Sequence, residues 1–166
     1  TFVGTPDFEN PADADTDNDY EVIIRASDGT NTTDQTVTVT VEDVDGAPVF
    51  SSGATASVAE NQTAAYTAAA ADDEGTVLTY SLSGADAALF SIDAGTGVVT
   101  FNAAPDYENP ADAGGDNVYD IVVSASDGTN STDQAVAITV TDLNDNLPVF
   151  TSASSFTVAE NQTSAF

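Results

Sequence analysis

The chain has no cysteine, histidine, methionine or tryptophan, and its single basic residue is Arg25. Each absence closes off a class of chemistry. Without Cys or His there is no thiol nucleophile, no disulfide staple, no imidazole base and no zinc site of the usual ligand type. Without basic patches there is nothing to displace counterions from nucleic acid or to hold an anionic lipid surface, so no nucleic-acid partner is expected. Arg25 itself reads as a surface partner for nearby carboxylates. No leader peptide and no membrane span are recognised, so membrane insertion of this segment is not expected. Gly and Pro, at 11 and 6 residues, are too few for a disordered linker.

What is present is acid and β-forming residues. Asp and Glu total 28, for a formal net charge of -27 over 166 residues. Such a chain repels itself unless salt or bound cations offset the carboxylates. Hard oxygen ligands in acidic loops suit calcium. With disulfides excluded, metal is the simplest staple left to such a chain. The apolar share, 41%, is rich in Val, Ala, Ile, Phe and Tyr, broken by Thr and Ser, a composition that fits pleated, half-buried strands.

A repeat organises the chain. Pro6-Asp7-Phe8-Glu9-Asn10-Pro11-Ala12-Asp13 returns as Pro105-Asp106-Tyr107-Glu108-Asn109-Pro110-Ala111-Asp112, and Ala26-Ser27-Asp28-Gly29-Thr30-Asn31 returns as Ala125-Ser126-Asp127-Gly128-Thr129-Asn130, both at a spacing of 99. Pro48-Val49-Phe50 returns at Pro148, and Val58-Ala59-Glu60-Asn61-Gln62-Thr63 returns at Val158, both now at a spacing of 100. Residues 1–46 therefore read as the back half of one repeat, 47–147 as a whole repeat, and 148–166 as the start of a third.

Within the whole repeat, apolar alternation bounded by Gly, Asp and Asn predicts strands near 54–58, 65–70, 77–82, 88–92, 97–102, 118–125 and 134–141. Val136, Ile138 and Val140 alternate with Ala137 and Thr139, and Tyr119, Ile121 and Val123 alternate with Asp120 and Val122. The expectation is an all-β fold of tandem seven-stranded, antiparallel Greek-key sandwiches, immunoglobulin-like in architecture. Phe50, Tyr66, Tyr80, Phe90, Phe101 and Tyr119 are expected in the core, with the Tyr119 hydroxyl anchoring a corner.

Val140-Thr141-Asp142-Leu143-Asn144-Asp145-Asn146-Leu147-Pro148-Val149-Phe150 ends one repeat and opens the next. Together with Ala59-Glu60-Asn61, Pro105-Asp106-Tyr107-Glu108, Phe90-Ser91-Ile92-Asp93 before Thr96-Gly97, and Ala125-Ser126-Asp127, it closely resembles the linker and repeat motifs of the cadherin domain family, in the bacterial-type variety. The resemblance covers nearly the whole chain. It implies an extracellular or cell-surface repeat rod, stiffened by calcium bound between repeats, with a structural or adhesive role and no catalysis. The partners it implies are calcium, neighbouring repeats, and identical molecules or surface glycans. The tryptophan of cadherin strand exchange is absent, so that adhesion mode is not implied.

About six to eight oxygens must converge on one calcium. Asp106 and Glu108, at i and i+2, send their side chains the same way from an extended backbone. Glu60 joins from the neighbouring strand end, Asp145 from the linker. If the family pattern holds, oxygens of Leu143, Asn144 and Asn146, beside Asp142, complete that set. At the other junction the resemblance implies Asp7, Glu9, Asp45, Asp72, Glu74 and Asp127, with Asp73 a rival to Asp72. The linker there, Asp43-Val44-Asp45-Gly46-Ala47-Pro48, is one residue shorter and lacks the Asn. Asp13-Ala14-Asp15-Thr16-Asp17 looks like the start of a further calcium loop, but lacks the Gly and closing Glu of an EF-hand. Asn31, Asn61, Asn130 and Asn161 stand in formal glycosylation sequons.

Two other readings are open. A carbohydrate-binding module suits the sandwich, although no Trp is available to stack on sugar rings. A glycosidase would need the Asp106 and Glu108 pair in a cleft, and no cleft-forming insertion is present.

Overall fold

The computed structural model describes residues 1–152, 154, 155, 157, 158, 160 and 161. The returning motif at 158–163 and the sequon at Asn161 therefore lie partly outside the described residues. Strands β1 (Asp19–Ser27) and β2 (Thr32–Thr40) come first as a hairpin. The whole repeat follows with β3 (Val49–Phe50), β4 (Thr55–Ala59), β5 (Ala64–Thr67), β6 (Ala70–Ala71), β7 (Thr79–Ser83), β8 (Phe90–Ile92), β9 (Val98–Phe101), β10 (Val118–Ser126) and β11 (Ser131–Thr141).

One layer has the order β4-β11-β10-β7 and the other β5-β9-β8, with β3 and β6 paired separately. Side chains from both layers interdigitate as the core: Tyr80, Phe90, Val99, Phe101, Tyr119, Ile121, Val123, Val136, Ile138 and Val140 are all buried. Phe90, Phe101 and Tyr119 form an aromatic knot, with Phe101 and Tyr119 edge to face at 5.2 Å between centroids. The all-β sandwich is thus as expected, with three differences. The first strand begins earlier, at β3, and is broken before β4. The strand expected at 65–70 is broken between β5 and β6. And β4 runs parallel to β11, so the sandwich is not wholly antiparallel.

The breaks have a physical origin. The amides of Ser51 and Ser52 bond to the Ala69 carbonyl, and the Ala68 amide bonds to the Gly97 carbonyl, so the first strand passes from β6 to β11 and the second is interrupted between its pairings with β9 and β3, where no alternation can persist. Gly97 permits the close approach to Ala68: it sits at φ +70°, and a Cβ there would lie 2.5 Å from the Ala68 carbonyl oxygen.

The two hairpins share one register. Asp19 faces Thr40 and Ser27 faces Thr32, while Val118 faces Thr139 and Ser126 faces Ser131. Each closes on the same turn, in which an Asp side chain accepts the following amides: Asp28 Oδ1 takes Thr30 and Asn31 at 2.9 and 2.7 Å, and Asp127 Oδ1 takes Thr129 and Asn130, both at 2.6 Å. Their burial differs. Ile121 and Val123 are 1% and 0% exposed, whereas Val22 and Ile24 on the first hairpin are 51% and 57% exposed. No second layer covers that first hairpin among the described residues.

The loop between β9 and β10 is held by acids and amides. Buried Asp112 accepts the Asp116 and Asn117 amides, and Asp86 accepts those of Ala113 and Asp120, both at 2.7 Å. The Tyr119 hydroxyl accepts the Ala111 amide, which realises the expected corner. Asn117, at φ +64°, donates its side-chain amide to the Tyr107 carbonyl at 2.9 Å and so fixes the segment that carries Asp106 and Glu108. Arg25 pairs bidentately with Asp34 on the surface, 2.7 Å in both bonds. No helix among the described residues is long and apolar enough to cross a membrane.

Candidate metal centre

Two acidic clusters lie at the ends of the whole repeat. At its far end Glu60, the residue after β4, is 1% exposed and bridges two segments. Its Oε2 accepts the Tyr107 amide at 2.9 Å and its Oε1 the Leu143 amide at 2.8 Å. The Tyr107 peptide is therefore gripped from both sides, by Glu60 at the N–H and Asn117 at the carbonyl. That grip brings Glu108 and Asp142 to Glu60, with one oxygen from each within 4.8 Å of the others. Asp106 lies on the same turn, where its carboxylate accepts the Glu108 and Asn109 amides. Asp145 reaches across to the same strand end and accepts the Asn61 side-chain amide at 2.6 Å. Leu143, Asn144 and Asn146 are exposed on the linker.

At the near end, two halves of the chain meet. Glu9 and Asp43 from the leading half come within 4.8 Å of Glu74, and Glu74 also gathers with Asp72 and Asp73. Glu74 Oε1 accepts the Gly46 linker amide at 2.9 Å. Gly46 leaves room for Asp73, since a Cβ there would lie 2.7 Å from Asp73 Oδ1. Asp72 and its rival Asp73 therefore both approach the cluster. The structure does not bring every residue of the implied set into it. Asp7 accepts the Asn10 amide in a local turn, and Asp45 approaches its neighbours through its backbone oxygen, which accepts from Asn130. Asp43 is the residue that sequence reading missed; its match to Asp142 at a spacing of 99 was the available signal.

Asp72 Oδ2 and Glu74 Oε2 in this cluster, and Asp127 Oδ2 in the turn whose Asn130 meets the linker, are buried without a hydrogen-bond partner among the described residues. A buried carboxylate oxygen left without donor or cation is costly. The carboxyls respond accordingly. Glu9 is held above its ordinary value: its own backbone amide pulls it down, but loss of water and the charges of Asp43 and Asp73 outweigh that pull. Glu74 is also raised, the Gly46 amide lowering it and the crowding Asp73 and Asp72 carboxyls raising it. An all-oxygen donor set with orphaned oxygens fits a hard cation such as calcium.

The loop of Asp13, Asp15 and Asp17 also draws three carboxylates within 4.8 Å of one another. Its equivalent in the whole repeat has Gly114 in place of Asp15 and the same backbone bond, from the Asp116 amide to Asp112 as from the Asp17 amide to Asp13. The loop therefore closes with or without the third acid.

Comparison with known proteins gives the same architecture. No family model matches the chain. Cadherin-related family member 2 of Mus musculus is 34% identical over 99 residues, 60% of this chain and 7% of that protein. The solved structure of human protocadherin-24 EC1-2 is 27% identical with a TM-score of 0.58, covering 68% of this chain and 51% of the other. Drosophila N-cadherin EC1-4, 24% identical with a TM-score of 0.54 over 78% of this chain and 35% of its own, supports the fold alone. In fold the chain is similar to cadherin extracellular domains. The chain spans only a small part of the curated relative and about half of the human structure. None of the three is bacterial, and none is named as an enzyme or a carbohydrate-binding module.

Proposed function

We propose that this chain is a segment of an extracellular repeat rod with an adhesive or structural role, in which calcium bound between repeats converts flexible linkers into stiff ones. One observation carries the reading: Glu9 and Asp43 of the leading half meet Glu74 of the following repeat around oxygens that no donor satisfies. Glu9, Asp43, Asp72, Glu74 and Asp127 would hold the ion, with Asp7 and Asp45 close by in sequence. At the second junction Glu60, Asp106, Glu108, Asp142 and Asp145 would do so, with oxygens of Leu143, Asn144 and Asn146 in the linker. Bound calcium supplies positive charge that offsets the crowded carboxylates. What the chain supplies is position, by tying each acid to a strand end or turn.

The same reading divides the chain at 1–46, 47–147 and 148–166. Its support is the register shared by the two hairpins and the exposure of Val22 and Ile24 where Ile121 and Val123 are buried. The first hairpin then presents the core face of a repeat whose other layer comes from elsewhere.

Calorimetric titration tests the binding. Calcium is expected to bind with dissociation constants of roughly 0.1 to 1 mM, the range of extracellular modules. Glu74→Gln should weaken the first-junction sites about tenfold or more, through loss of a ligand charge. Asp133→Asn, an exposed acid on β11 that belongs to neither cluster, should leave them unchanged. Acid should oppose binding. Glu9 and Glu74 hold their protons more tightly when folded than when unfolded, so the ion-free junction is relieved of repulsion as pH falls through their raised values and strained as pH rises above them. Calcium favours the ionised form, so its affinity should fall, with proton release on binding, as pH drops into that window. Absence of calcium heat, or equal weakening by Asp133→Asn, would defeat the proposal.

A further inference from the structure

The first junction contains a contact that needs no metal. Asn130, in the turn between β10 and β11, donates its side-chain amide to two backbone carbonyls of the linker, Asp45 at 3.1 Å and Gly46 at 2.8 Å. Its own backbone amide is held by Asp127 Oδ1, and the backbone oxygen of Asn130 takes the Asp127 amide. The side chain is thus aimed by a closed turn. It is partly buried, and among the described residues neither linker carbonyl accepts from another donor. The leading half contains the same turn without the linker. There Asn31 meets Asp28 through the same backbone bonds, but its side-chain amide turns back to Asp28 Oδ2 at 3.3 Å and is exposed. Identical turn chemistry therefore serves two ends, and only at Asn130 does the amide cross to another segment.

We propose that Asn130 is a metal-independent clasp that pre-closes the linker at Asp45 and Gly46 against the turn of the following repeat, so that calcium meets a junction already partly ordered. The inference deepens the proposed function and rests on reading 43–47 as an inter-repeat linker. Asn130 is a positioning residue: it holds the backbone on which Asp43 and the Gly46 amide stand, and the Gly46 amide in turn holds Glu74. The sequon at Asn130 acquires a consequence as well. Its acceptor nitrogen is engaged, so a glycan there, which takes one of the two N–H groups, would leave a single donor for the two carbonyls.

The test uses the full chain with spin labels at Thr36→Cys on β2 and Ser81→Cys on β7, both exposed, in a sequence with no other cysteine. Pulsed dipolar spectroscopy in excess chelator reads the distance distribution between the two sides of the linker. Asn130→Ala should broaden it, and Asn130→Asp, which keeps the turn's shape but replaces the donor with a carboxylate facing the carbonyls, should broaden it further. Asn31→Ala should leave the width of the parent chain, although it loosens the same kind of turn. Saturating calcium should narrow the Asn130 variants again, at a midpoint about threefold to tenfold higher, the worth of one or two hydrogen bonds. Equal widths for Asn130→Asp and the parent in chelator would overturn the clasp, as would equal broadening by Asn31→Ala. If calcium narrows no variant, the calcium reading fails while the chelator comparison still judges the clasp.

Discussion

Glu60→Ala lowers the unfolding free energy of the whole repeat by about 3–5 kcal/mol, the largest loss expected from any single acid in the chain. The magnitude follows from position. Glu60 is sealed from water at the end of β4, and its two oxygens satisfy the Tyr107 and Leu143 amides. Hydrogen bonds to a charged acceptor contribute about 1.5–3 kcal/mol each, and removing the acceptor strands both donors. Glu60→Gln should lose roughly half as much, because one oxygen still accepts while the new amide faces the second donor. The repeat supplies a control. Glu160 occupies the same place in the returning motif and is exposed, so Glu160→Ala should change stability by less than about 0.5 kcal/mol. Denaturant unfolding measures all three. Hydrogen exchange at Leu143 adds a local readout, since its amide loses protection in Glu60→Ala if the carboxylate is what anchors the linker.

The second large effect lies in the core. Ile138 on β11 is 0% exposed, and its register counterpart Val39 on β2 is 38% exposed. Ile138 faces Tyr119 across the strand pair as Val39 faces Tyr20. Ile138→Ala should cost about 2–5 kcal/mol, the lost transfer energy plus the cavity left between layers. Val39→Ala should cost under about 1 kcal/mol, because water already reaches the site. Equal losses would mean that the first hairpin face is covered in solution, for instance by a second molecule, and a concentration-dependent midpoint would identify that case.

Much of this was legible in the sequence because the repeat shows each structural role twice. The hairpins and their turn stood out from alternation in 118–125 and 134–141 and from the Asp-Gly-Thr-Asn motif, since a half-buried strand writes its burial at period two. The Tyr119 corner followed from the same pattern. β3 and the gap between β5 and β6 were not legible. Those segments change pairing partner, from β6 to β11 in the first and from β9 to β3 in the second, so their periodicity is interrupted by backbone bonds to Ala69 and Gly97 that no local motif encodes. The parallel course of β4 beside β11 likewise depends on a pairing across some eighty residues.

The candidate site divides the same way. Motifs led to Glu60, Glu108 and Glu74, each of which the fold places in a cluster, and to Asp7 and Asp45, whose carboxylates join no cluster of three among the described residues. Asp43 was missed because the linker pattern points to Asp45, two residues further on. Asn130 was seen as a sequon and as the end of a returning turn motif, not as a contact to the linker. Its partners are 84 and 85 residues away, and a side-chain amide bonding to a carbonyl leaves no signature in the partner's identity.

The central claim is that cation binding at the junction of Glu9, Asp43 and Glu74 fixes the leading half against the whole repeat. Small-angle scattering of the full chain, with millimolar calcium and then with chelator, tests it most directly. Stiffening predicts a calcium curve described by a single conformation, and a chelator curve that requires a spread of inter-repeat arrangements. Superimposable curves, in a sample whose calorimetry shows calcium bound, would contradict it.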